Sequence, residues 1–169
     1  MKNKSRKTAF VGLFVALALI LAYVEILLPP LYPSLPGIKM GLPNIIIIFL
    51  LYRCGMRFAI TVSLMRILIV TMLFGNAMAF LYSLAGGILS ILVMIILCRL
   101  DILSTVGVSI AGGVTHNVGQ ILMAMFLLDT AEIGYYLVVL TITGIIAGLF
   151  VGLCGSVLIK KIPKNFCDF

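Results

Sequence analysis

Six apolar runs separated by short polar breaks dominate this chain of 169 residues, and they decide its solvent. About 20 apolar residues at 1.5 Å rise cross the ~30 Å hydrocarbon layer as a helix. The runs cover 8–28, 42–52, 58–74, 78–98, 105–128 and 134–159. They predict an all-α membrane protein with six transmembrane helices in one bundle, residues 1–169 forming a single integral membrane domain. Charged residues make up 10% of the chain, whereas a soluble domain carries about 25%. That deficit excludes an ordinary water-soluble core.

The second run stands apart. At about 1.5 Å per residue it reaches only about 17 Å, half a bilayer. Either the Pro/Gly-rich loop before it dips into the membrane, or the helix continues past Arg53 with that side chain snorkelling. At the N-terminus, Lys2, Lys4, Arg6 and Lys7 precede an apolar stretch in the manner of a signal peptide. The stretch is too long for one and further spans follow, so it reads as an uncleaved first helix.

Basic residues set the orientation. With the N-terminus inside, cytoplasmic segments hold Lys2, Lys4, Arg6, Lys7, Arg53, Arg57, Arg99, Lys160, Lys161 and Lys164. The external loops hold Lys39 together with Asp129 and Glu132. Both termini are therefore expected in the cytoplasm, and the protein is expected in the cell membrane as a multi-pass species. The net charge of +7 lies in short clusters between apolar runs, with no basic face carrying interleaved aromatics, so nucleic acid is not an expected partner. Cys54, Cys98, Cys154 and Cys167 form no C-x-x-C pair; they read as free thiols, and no metal is expected.

Polar groups at bilayer depth carry the functional signal. Arg66 lies in the middle of the third run, where a charge costs roughly 2.5–3.5 kcal/mol on insertion scales. Two arrangements suit it: a buried ion pair with Glu25, or a cavity in which it meets an anionic group while Glu25 stands near the rim. Counted from the helix ends, the two residues differ in depth by nearly 10 Å, which favours the cavity. In the fifth run, His116, Asn117 and Gln120 are three or four residues apart and are expected on one side of a helix, beside Gly112, Gly113 and Gly119. They suit either interhelical hydrogen bonding or a ligand site; the glycines, which permit close approach, favour the ligand site. Pro43 suits a first helical position, and Asn44 is placed to cap the second helix. A half-length helix starting at membrane depth aims its positive end at the outer cavity, where Lys39 adds a charge.

Gly144, Gly148, Gly152 and Ser156 recur every four residues through the sixth run, a ridge for close helix packing. The first run has a milder version in Gly12 and Ala16, then Ala18 and Ala22. No Walker P-loop is present, and the five acids form no D-D-x-x-D cluster for holding Mg²⁺ on a diphosphate. The only histidine, His116, has no acid nearby in sequence, so a catalytic constellation is not expected.

Four stretches taken together resemble one family: P-G-I-K-M-G-L-P-N at 36–44, S-L-M-R at 63–66, F-L-Y-S-L-A-G-G at 80–87 and T-H-N-V-G-Q at 115–120. In this order, over roughly 8–159, they resemble the Gx transporter family, also called heptaprenyl diphosphate synthase component I. That family is similar to the substrate-binding S components of energy-coupling-factor transporters. The resemblance implies a ligand in the outer half of the bundle beneath the first loop, and a separate transmembrane subunit with ATPases as partners. Carried over, it implies Ala18 and Ala22 as coupling positions and Arg66, Asn44, His116, Asn117 and Gln120 as pocket lining. The expectation is a non-catalytic subunit that captures a small anionic solute and needs no cofactor. The alternative is a membrane component associated with a soluble polyprenyl diphosphate synthase.

Overall fold

The computed structural model describes residues 2–28 and 40–167. Among the described residues, six α-helices follow in chain order: α1 (Lys2–Leu27), α2 (Asn44–Arg53), α3 (Met56–Phe74), α4 (Ala77–Leu100), α5 (Thr105–Leu128) and α6 (Tyr136–Lys161). Short 3₁₀ turns lie at Ala131–Tyr135 and Lys164–Cys167. The fold is 89% helix, with no strand among the described residues. Local chemistry explains the breaks. Asn76 accepts from Ala79 N at 2.8 Å to cap α4, and Ser104 accepts from Gly107 N at 3.2 Å to cap α5. Asp101 and Asp129 close those two helices in the left-handed region, with φ 52° and 47°. Gly55, at φ 93°, turns the chain between α2 and α3.

Five helices are long and apolar enough to cross a membrane; α2 is not. The six expected helices are present, but α2, with 10 residues, extends only about 15 Å. It stops at Arg53 rather than running on. The Arg53 guanidinium donates through Nη2 to the carbonyl of Ile159 near the end of α6, so it is held in the protein and does not snorkel. The α2 start also differs from expectation. Pro43 takes the N-cap position in αR conformation and Asn44 is the first helical residue, with no side-chain cap. Asn44 N already donates to Gly41 O at 2.8 Å, so the turn begins before Asn44 and its amide is free to face elsewhere.

Six successive α2 residues, Ile46 to Leu51, are buried. Phe49, Ile47, Ile48 and Leu50 are among the largest fully buried side chains. A helix apolar all round must be enclosed, and α2 packs against α1, α3 and α6. Around it the long helices follow the contact order α1, α3, α4, α5, α6. Leu92, Ile96, Phe126, Val138 and Ile146 point outward, as lipid-facing side chains do.

The α5–α6 seam is the closest in the fold. A Cβ on Gly148 would stand 2.6 Å from Ile110 Cα, and one on Gly152 2.8 Å from Val106 Cα, so only glycine permits this approach. Gly144 faces Gly113 in the same way. Ala18 and Ala22 are 0% and 6% exposed, so both face the interior of the bundle. The outward stripe of α1 is instead Leu13, Leu17, Ile20 and Val24.

The free-thiol expectation needs correction at two of four cysteines. Cys54 and Cys167 are paired, with Cα atoms 5.2 Å apart, while Cys98 and Cys154 are free. Spacing did not suggest the pair because 113 residues separate its members, and only the return of the chain past α6 brings them together.

Candidate solute site

Beyond the N-terminal end of α2, two adjoining cavities open inside the bundle. The first, about 80 Å³, is bounded by Met40, Gly41 and Asn44, by Arg66 of α3, and by α4, α5 and α6. The second, about 70 Å³, lies towards α1 and is bounded by Glu25, Pro43, Thr71 and Ser83 among others. Arg66 and His116 belong to the walls of both. Each volume is several times the ~10–15 Å³ that one water needs, yet well short of the ~300 Å³ of a drug-sized pocket. Their scale is that of a small solute or of one charged end of a larger one.

Arg66 supplies the dominant charge. Its Nε is buried and has no hydrogen-bond partner among the described residues. An arginine in hydrocarbon without a full set of acceptors costs several kcal/mol, so this vacancy is either a standing loss or a ligand contact. Glu25 lines the second cavity together with Arg66. Its Oε1 also accepts from Gly41 N, tying α1 to the residues that lead into α2. The two residues share the wall of one cavity, with Glu25 at the end nearer the loop, as the cavity arrangement expects.

The fifth helix divides its polar groups more than the sequence suggests. Consecutive helical residues point about 100° apart, and here that angle matters. His116 faces α4, where a Cβ on Gly86 would lie 3.2 Å from its Cε1. Asn117 turns to α6 and donates through Nδ2 to Leu140 O at 2.5 Å. Both line the first cavity, which opens between them. Gln120 does not. One turn beyond His116, it packs under Gly86 with its Cγ 2.9 Å from the position a Cβ would take there, and it lines neither cavity. The three residues thus do not share one face.

Of the other expected site residues, Asn44 lines the first cavity and Glu25 the second. Lys39 lies outside the described residues. Sequence reasoning missed two buried hydroxyls in the first cavity, Ser90 and Ser109. Ser90 Oγ donates to Gly112 O at 2.8 Å and joins α4 to α5. The signal was present in the sequence, since Ser90 interrupts an apolar run just after Gly86 and Gly87. Glycines form much of the remaining wall: Gly112, Gly113, Gly144 and Gly148 expose backbone where side chains would fill the space. Among the described residues, no three His, Cys, Asp or Glu side chains come together as a metal site.

Five long apolar helices, one of them carrying the half-buried Arg66 beside a polar interior cavity, define a multi-pass membrane protein. The family described as heptaprenyl diphosphate synthase component I matches residues 14–158, and the chain belongs to it. This is the family, also called Gx transporter, that the four motifs resemble. It is described as a component and not as the catalytic synthase, which is consistent with a non-enzyme. No curated protein and no solved structure matches the chain.

Proposed function

We propose that the chain is a membrane-embedded substrate-binding subunit that captures a small anionic solute and relies on partner ATPases for its uptake, in the manner of an S component. The observation that carries this reading is Arg66: its Nε is buried without a partner among the described residues, and its side chain borders both cavities. Asn44, His116 and Asn117 line the same space. The positive end of the α2 dipole adds to the attraction for an anion. The excess of basic residues at the end of the bundle that holds both termini supports a cytoplasmic position for that end, and with it cavities in the outer half of the membrane. Lys39 is proposed as an entry charge, and the chain as one membrane domain. Radioligand or thermal-shift binding on purified chain tests the reading. Arg66→Ala is expected to abolish the response to an identified solute; an unchanged affinity would remove Arg66 from the site.

The family description favours one further reading, a non-catalytic membrane component that works with a polyprenyl diphosphate synthase. Exposed Arg57, Lys160 and Lys161 would then recruit the soluble chain. Affinity purification from native membranes separates the two: a stoichiometric prenyl synthase supports this reading, and transporter ATPases support the first.

A further inference from the structure

Arg66 has two neighbours of opposite kind. On the side of the second cavity stands a carboxylate, Glu25, in the same wall as Arg66. On the side of the first cavity stand neutral amides and hydroxyls, Asn44, Asn117, Ser90 and Ser109, with the α2 N-terminus. Glu25 is not part of that first wall. The guanidinium brings N–H donors of the kind that hold the oxygens of an oxyanion, and its buried Nε has no partner among the described residues. We propose that Arg66 is shared between Glu25 and the terminal phosphoryl group of the solute, so that Glu25 is a competing residue that sets which anions the first cavity accepts.

This rests on the solute-binding reading and narrows it. A solute ending in one carboxylate offers Arg66 the same kind of charge that Glu25 already brings to the wall of the second cavity. A phosphoryl group, carrying about −1.5 to −2 charge and three acceptor oxygens, outweighs it. The cavity volume suits such an end group, with any larger remainder outside it. The amides and hydroxyls of the wall supply donors for the remaining oxygens. Glu25 then keeps its second task, accepting from Gly41 N, whether or not the cavity is filled.

Glu25→Gln separates charge from hydrogen bonding, because the amide oxygen still accepts from Gly41 N. Isothermal titration of the full detergent-purified chain with inorganic diphosphate is the test, with acetate and geranyl diphosphate as further probes. The wild type is expected to bind diphosphate and not acetate, and Glu25→Gln to bind diphosphate about fivefold tighter or more, since a like charge is removed from a low-dielectric site. Arg66→Lys, which has no guanidinium, is expected to lose at least about tenfold. Geranyl diphosphate binding tighter than inorganic diphosphate assigns the phosphoryl group to a lipid headgroup; equal affinities assign it to a soluble anion. Should Glu25→Gln misfold by circular dichroism, Glu25→Ala carries the same expectation. If wild type binds but neither Glu25 variant binds tighter, the competition is overturned and the solute reading stands. If diphosphate, geranyl diphosphate and acetate bind to neither wild type nor variants, the anion site and the solute reading fall together.

Discussion

At the end of the bundle that holds both termini, Phe10, Phe14, Phe49, Phe58 and Phe166 fill the space between α1, α2 and α3, with ring centroids 4.7 to 6.4 Å apart. Further along the same helices, the space beyond the start of α2 holds Arg66, Glu25 and two cavities. One element makes the difference. Helix α2 is about half the length of a span, so its Phe49 and Leu50 fill one half of the bundle while Asn44 and Ile48 border the hollow left in the other. A full-length helix here would occupy the cavity. The packed half supplies stability, and the hollow half holds polar groups that cost stability and, on the proposed function, serve binding.

Substitutions in the two halves should therefore separate folding from binding. The largest effect is expected where the seam supports both. Gly148→Leu places side-chain atoms where Ile110 Cα already stands, so α5 and α6 cannot close and the cavity wall is lost with them. Size-exclusion chromatography should show aggregated or unextractable protein. Next, Phe49→Ala in the packed half should cost about 3–5 kcal/mol, read as a lower unfolding midpoint, with solute affinity unchanged in the protein that folds. A lost affinity without lost stability would mean that the two halves are not distinct. Arg66→Met should behave in the opposite way. It removes a buried charge worth roughly 2.5–3.5 kcal/mol of insertion cost, so the unfolding midpoint should hold or rise while solute affinity falls at least about tenfold. The smallest effect belongs to Ser90→Ala, about 0.6 kcal/mol for one interhelical hydrogen bond, detectable in the same unfolding assay.

Much of the packed half was legible in the sequence, and less of the hollow one. Five long spans follow from run length alone, and the shortness of the second run already pointed to a half-length helix. Arg66, His116 and Asn117 stood out because charge and amide groups are expensive in hydrocarbon, and all three reach the first cavity. Spacing did not show where each side chain would turn. His116 and Asn117 are neighbours that diverge by 100° to meet different helices, and Gln120 follows His116 into the α4 seam but ends below the cavity. Position along the helices set Glu25 apart from an ion pair with Arg66 but did not show that the two share the wall of a second cavity. The Cys54–Cys167 pair was invisible because it depends on how the tail folds back across the bundle. The small-residue pattern of α6 was read as a packing ridge, but only the coordinates identify α5 as its partner.

Native mass spectrometry of the gently solubilised chain asks whether the hollow half is occupied and by what. An anionic small molecule is expected on wild-type protein and on Phe49→Ala, and none on Arg66→Met. The same adduct on Arg66→Met, or bare protein in every preparation supplied with cell extract, would contradict the proposed function.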